Sequence, residues 1–385
     1  MSTPAILDAA RDMAPQVAAR AVETEAARRL PADLAAALAE AGLFRMTVPR
    51  QFGGGETTPA GFYGALEILG QADAATAWCA MIASTTALGA AWLPEAHAQE
   101  IFGDPLTISG GVFAPMGKAQ AQGGDYVVSG QWAWASGSAN CHWLIGGSLI
   151  FDDGVMRTLP GGGPDHRMMF FRRADVTLID TWDSSGLRGT GSGDMAVNGA
   201  VVPQGRSVSF LTDAPRATGP LYAFPPFGLL ALGIAAVASG NALGALADFK
   251  TLATTKKGAG SSRTLAERGT VQAEYAKAEA ALEAARALAA ASIEAAWVRA
   301  QAGAGLDTPT RARLRLAATH LTRTAADVVR MAYDMAGGTA VYSKHPLQRR
   351  FRDAHVATQH MMIAPPTYEL AGRVGLGLPT DATAL

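Results

Sequence analysis

Through the first hundred residues apolar positions fall at helical spacing. Around residues 30–42 (LPADLAAALAEAG), Leu34, Leu38 and Leu43 recur near the 3.6-residue period, and Gly42 supplies a helix C-terminal signal. A proline- and glycine-rich loop, residues 48–55 (VPRQFGGG), follows, and the Ala- and Leu-rich stretches 61–69 and 75–93 predict further helices. From about residue 108 to 202 the pattern changes. Residues 126–129, 131–135, 143–151, 167–171, 175–179 and 194–202 are short runs carrying Val, Ile, Trp and Phe, broken by Gly, Asp or Pro, which predict strands. Gly123-Gly124 and Ser129-Gly130 fit turns between antiparallel strands. After Pro225-Pro226 the pattern is helical again, in four long segments at about 227–257, 265–302, 308–336 and 348–374, with glycine-containing breaks between the first three and Gly337-Gly338 after the third. The expected fold class is α+β: an N-terminal helical domain (1–107), a central antiparallel β-barrel or sandwich (108–215) and a C-terminal four-helix bundle (216–385).

Composition narrows the function classes. A chain of 385 residues, 49% hydrophobic and 17% charged, has the material for a large core in two or three packed units. A net charge of −1 leaves no basic field for nucleic acid. Two cysteines, Cys79 and Cys141, cannot build a disulfide framework, which fits a reduced, cytoplasmic compartment. Residues 227–249 hold one charge, Asp248, and are long enough to cross a bilayer. Their glycines, Ser239 and Asn241 favour a helix buried in protein, and no membrane partner is expected.

Common catalytic signatures are missing: the sequence contains no GxSxG, HExxH, paired CxxC or phosphate loop. Residues 186–193 (GLRGTGSG) follow no clear strand and open no helix, so they are not a dinucleotide fingerprint. His355 and His360 are five apart, about 140° around a helix, and so are not expected to share a metal. His142 beside Cys141 reads as structural, and no metal site is expected. Residues 130–143 (GQWAWASGSANCHW) carry more. Alternation would place Trp132, Trp134 and Ser136 on one face of a strand. Two indoles and a hydroxyl make a wall for a flat conjugated ring. The same residues also suit a half-buried strand packed under helices, which the strand alone favours.

Trp134-Ala135-Ser136-Gly137, with Trp143 nine residues after Trp134, resembles the flavin-contacting strand of the acyl-CoA dehydrogenase superfamily. The resemblance implies that Trp134 lines the isoalloxazine and that Ser136 sits beside flavin N5. Residues 182–194 (WDSSGLRGTGSGD) resemble the family's next block, which implies cofactor contacts for Gly189, Thr190 and Ser192. Arg263 and Gln272 resemble the Arg and Gln of the helix that meets flavin phosphate across a subunit boundary. Gly337 and Gly338 resemble the glycine pair that closes on the cofactor of a neighbouring chain. With residues 29–55 matching the family's opening helices, the likeness spans nearly the whole chain, and it implies a homotetramer.

One departure bears on activity. Family dehydrogenases place a catalytic Glu shortly after an R-D-A segment. Here Arg352-Asp353-Ala354 is followed by His355, Val356, Ala357, Thr358, Gln359, His360 and Met361, with Met361 at the carboxylate position. A thioether cannot take a proton at neutral pH. This stretch resembles the two-component flavin-dependent monooxygenases of the same fold. That branch implies reduced FMN or FAD delivered by a separate flavin reductase, O2 as cosubstrate, and a C4a-hydroperoxide that oxidises a small, aromatic substrate. Ser136 would hold the peroxide and His360, titrating near 6.5, would act as base; Trp132, His355 and Met361 would line the substrate pocket. Without the resemblance, His360 reads as a core histidine, Arg263 as an ordinary surface charge, and Asp353 as the helix partner of Arg349 or Arg350. A dehydrogenase-like FAD enzyme with a displaced base and a non-catalytic flavin-binding protein are the alternatives.

Overall fold

A computed structural model describes residues 3–258, 260–303, 305–383 and 385. Five helices open the chain: α1 (Thr3–Ala27), α2 (Ala32–Glu40), α3 (Pro59–Ala72), α4 (Ala74–Ala87) and α5 (Glu95–Phe102). A sheet follows, made of β1 (Ser109–Gln122), β2 (Asp125–Trp132), β3 (Trp143–Asp152), β4 (Val155–Met156), β5 (His166–Arg172), β6 (Thr177–Ile179), β7 (Asp194–Pro203) and β8 (Ser207–Val208). The rest is helical: α6 (Pro220–Ala223), α7 (Pro226–Thr255), α8 (Gly269–Gln301), α9 (Thr308–Ala336), α10 (Pro346–Ala357) and α11 (Pro366–Gly375).

Helix α7 explains its own apolarity. Its apolar stretch from Gly228 to Leu246 is almost wholly buried, because α3, α4, α9 and α10 pack around it. At its crossing with α3, a Cβ on Gly240 would lie 2.2 Å from the Glu67 carbonyl oxygen, so only glycine permits that approach. The 74–91 stretch is also long and apolar enough to span a bilayer, and it too is wholly buried. One continuous apolar core runs through the helices and the sheet.

Three expectations are corrected. First, the sheet is open, with strand order β6-β7-β2-β1-β3-β5-β8, rather than closed into a barrel, and β1 pairs with β3 in parallel. Second, Ser129-Gly130 is no turn. It lies within β2, where the register against β7 shifts between Val128 and Gly130. The β1–β2 turn is Gly123-Gly124, both at positive φ. Third, the fourth bundle segment is broken. α10 stops at Ala357, a short 3-10 turn covers Met361–Ile363, and α11 begins only after Pro365. Pro365 and Pro366 lack the N–H groups a continuous helix would need, and the His360 side chain caps the intervening turn instead.

Candidate functional site

Strand β2 ends at Trp132, and the next residues leave the sheet. Trp134 has φ 65°, a left-handed value that is strained for a bulky residue. This turn reverses the alternation, so Trp132 and Trp134 do not share a face. Trp132 is fully buried, donates from Nε1 to the Gly147 carbonyl (2.7 Å) and packs at 5.7 Å from the Phe171 ring. It is a core residue and not the pocket wall expected of it. Trp134 is 66% exposed in the single chain.

Beyond Trp134, the backbone pairs with residues 190–193. The Ala135 N–H donates to the Gly193 carbonyl (2.9 Å) and the Gly137 N–H to that of Thr190 (2.8 Å). This brings three hydroxyls into line. Ser136 Oγ lies 2.6 Å from Ser192 Oγ, Ser192 Oγ lies 2.5 Å from Thr190 Oγ1, and Thr190 Oγ1 donates to the Leu187 carbonyl at 2.8 Å. All three side chains are buried. Gly189 packs against Thr24 and Ala75. Thus Trp134, Ser136, Gly189, Thr190 and Ser192 form one cluster.

The loop that carries Thr190 and Ser192 is held from the bundle. Leu187 sits at φ 48°, and its N–H donates to Asp353 Oδ1 of α10 at 2.6 Å. A Cβ on Gly186 would come within 2.3 Å of the Arg352 carbonyl oxygen, so glycine lets α10 lie directly on this loop. Arg352 donates to the Ser185 carbonyl (2.8 Å) and pairs with Glu25 of α1 (2.5 Å). Asp353 is therefore not the helix partner of Arg349 or Arg350 that spacing suggested; Arg350 pairs with Asp248 at 2.6 Å. Burial raises the Asp353 carboxyl to about 7, and the charge of Asp73 adds to the rise. Asp73, which caps α4 through the Thr76 N–H (2.8 Å), is also raised, chiefly by burial. The sequence signal for Asp73 is its place just before the apolar run at 75–93. The partner of Asp353 lies 166 residues away and leaves no local signal.

His360 lies in the break between α10 and α11. Its Nδ1 accepts the Met362 N–H (3.2 Å), and its ring meets Trp78 edge-on at 5.8 Å. Arg315 donates to the neighbouring Met362 carbonyl at 2.9 Å. Burial, with a further contribution from the Arg315 charge, depresses the imidazole to about 4. The ring is therefore neutral at pH 7, and with Nδ1 accepting, the proton resides on Nε2. The expected titration near 6.5 is corrected: this imidazole offers a donor. His355 stays on α10, against Phe351 (4.4 Å between rings), with its buried Nε2 unpaired among the described residues. Met361 is 74% exposed.

A second group lies at the C-terminal end of α7. Lys256 Nζ donates to the Ala336 carbonyl (2.7 Å), next to Gly337 and Gly338, and the Leu265 N–H donates to the Lys256 carbonyl (2.9 Å). Arg263 is exposed in the loop before α8 rather than in the helix, and Gln272, in the first turns of α8, donates to the Ala266 carbonyl at 2.9 Å. Gly337 and Gly338 are exposed as well. Arg263, Gln272, Gly337 and Gly338 therefore sit around one end of the bundle, on elements other than those carrying Ser136. His142 uses Nδ1 to accept the Ile108 N–H at 3.0 Å.

The residues present fit a flavin. An open indole stands next to a buried hydroxyl that can meet a ring nitrogen, and three of the five residues of that cluster, Gly189, Thr190 and Ser192, lie in the glycine-rich turn 186–193 that admits close approach. A groove of about 500 Å³ between α3 and α8, lined by Ala60, Tyr63, Ala290, Ala291, Ile293 and Glu294, is not part of this cluster.

The chain is similar to known proteins over nearly its whole length. Residues 3–98 match the model for the acyl-CoA dehydrogenase N-terminal domain and residues 232–365 that for its C-terminal domain. Indole-3-acetate monooxygenase of Pseudomonas putida is 34% identical over 97% of this chain and 92% of its own length. A flavin-dependent monooxygenase, oxygenase subunit HsaA, of Rhodococcus jostii is 30% identical over 96% of this chain and 97% of its own. The structure of XiaF from a Streptomyces species, in complex with FADH2 and glycerol, superposes with a TM-score of 0.89 at 25% identity, covering 98% of this chain and 96% of that one.

Proposed function

The chain belongs to the acyl-CoA dehydrogenase family and is a flavin-dependent monooxygenase, and from that premise we propose that it oxygenates a small aromatic substrate with reduced FMN or FAD supplied by a separate flavin reductase. The observation that carries the reading is the pairing of Met361 at the family's carboxylate position with the neutral, capped imidazole of His360 beside it. No general base for α-proton removal remains there, whereas oxygen transfer needs donors and a dry apolar site. Reduced flavin, when held beside Trp134 and Ser136, would supply the dioxygen chemistry.

The protein's own residues have the following parts. Trp134 would cover a face of the ring system, and Ser136 would meet it at N5. His360 presents Nε2–H to the substrate or to the oxygen being transferred, and Trp78 holds its ring in place. His355 offers its unpaired Nε2 as a further polar contact, and Met361 lines the pocket. Arg263, Gln272, Gly337 and Gly338 would serve the cofactor of a neighbouring chain in a homotetramer; their exposure and that of Trp134 in one chain support this reading. The name of the Pseudomonas relative, with its indole-based substrate, supports an aromatic substrate. Two free, buried cysteines support a cytoplasmic location.

The test supplies chemically or enzymatically reduced flavin and ¹⁸O2 to the protein with a panel of indoles and phenols. One labelled oxygen atom per product molecule is expected. Tightly held FAD that an acyl-CoA bleaches without oxygen, with no label in any product, would establish the dehydrogenase alternative instead.

A further inference from the structure

The three hydroxyls have one proton each, and the end of the chain fixes where each proton points. The Leu187 carbonyl has none to give, so Thr190 donates to it. Thr190 Oγ1 is then left with lone pairs for Ser192, and Ser192 must donate to Thr190 across 2.5 Å. Ser192 in turn can only accept from Ser136, across 2.6 Å. The anchor is firm: the same Leu187 carbonyl also receives the Thr190 N–H (3.0 Å) and Trp182 Nε1 (3.1 Å), while the Leu187 N–H is bound to Asp353. The void bordering Ser136 and Gly137 measures about 10 Å³, room for one water at most.

We propose that Thr190 and Ser192 are positioning residues that turn the Ser136 proton inward, so that Ser136 shows its ligand only lone pairs and the site selects flavin carrying a hydrogen on N5 over oxidised flavin. This rests on the proposed placement of Ser136 at N5. Reduced flavin donates its N5–H to Ser136 and completes the relay. Oxidised flavin has a bare N5, which would face an oxygen lone pair, an arrangement with no proton between two acceptors. The direction of three hydrogen bonds thus reads the oxidation state of the cofactor, which suits an enzyme that must take reduced flavin from a pool and let the oxidised form go.

The experiment measures dissociation constants of the full-length protein for oxidised FMN and FAD, by fluorescence quenching, and for the reduced forms under anaerobic conditions. Wild-type protein is expected to hold reduced flavin at least about tenfold more tightly than oxidised flavin. Ser192→Ala removes the acceptor of the Ser136 proton and leaves Ser136 free to donate. Oxidised flavin should then bind about 10-fold to 100-fold more tightly, with reduced flavin changed by less. Thr190→Val should have the same effect, and Thr190→Ser should restore the wild-type ratio. Ser136→Ala should narrow the ratio from the other side, by weakening reduced flavin. If Thr190→Val fails to fold, the smaller Ser192→Ala change carries the test. A ratio unchanged in Ser192→Ala, in protein that binds both forms, overturns the relay alone. Wild-type protein that binds neither form overturns the flavin reading along with it.

Discussion

Replacing Asp353 with Asn tests how the bundle holds the loop. Asp353 is 4% exposed, and its carboxyl is raised from 3.8 to about 7 by burial and by Asp73. Between those two pH values the unfolded chain has released this proton while the folded chain keeps it. Folding therefore binds a proton, and stability falls as pH rises through the window. At about 1.4 kcal/mol per pH unit, a displacement from 3.8 to about 7 is worth about 4 kcal/mol, all of it present below pH 4 and lost above pH 7. Asn keeps an oxygen for the Leu187 N–H and never ionises. Asp353→Asn should match wild type within about 1 kcal/mol near pH 4 and exceed it by up to about 4 kcal/mol near pH 8. A shallower fall should persist from Asp73, whose carboxyl is displaced in the same direction. The assay is guanidinium denaturation at fixed protein concentration across this range, with midpoints and slopes compared. Parallel curves for the two proteins would show instead that Asp353 is ionised when folded. Asp353→Ala, which strands the Leu187 N–H, should instead cost about 1–3 kcal/mol near pH 5.

Other outcomes follow from the same geometry. Trp132→Ala should destabilise the protein by about 3–5 kcal/mol in chemical denaturation, as expected for an indole in the sheet core. His360→Ala should lower the rate of substrate oxygenation by about 10-fold to 100-fold, the loss of one buried donor, while reduced-flavin affinity changes less than about threefold. The imidazole is held near 4 when folded and titrates near 6.5 when unfolded. It therefore favours the folded state above 6.5, and that contribution is lost as pH falls toward 4; His360→Asn should flatten this part of the stability profile. Arg263→Ala should weaken reduced-flavin binding without changing the melting temperature of the apoprotein.

Much of the architecture was legible because it rests on periodicity. Helix, strand and helix follow one another at the expected places, and the buried apolar helix at 226–255 could be recognised by its glycines and polar residues. Pairing direction was not legible: alternation is the same in parallel and antiparallel strands, so the parallel β1–β3 contact left no mark. The site was half legible. The Trp-Ala-Ser-Gly segment announced itself, but a left-handed backbone at Trp134 broke the alternation that was used to place Trp132 beside it. In the last segment, the His360 cap and two prolines stop what the spacing continued as a helix. Asp353 was assigned to neighbours within one turn because a sequence displays local partners. Its actual partner, a backbone N–H on another element, carries no residue type that could signal it.

The reaction of bound reduced flavin with dioxygen can be watched by stopped-flow mixing. Protein holding reduced flavin, without substrate, is mixed with oxygenated buffer and followed in the near ultraviolet and at the visible band of oxidised flavin. A transient near-ultraviolet species should form first, with oxidised flavin appearing only after a lag. Oxidised flavin appearing at once, at the rate of free reduced flavin and with no preceding species, would rule out oxygen transfer by this protein's bound flavin.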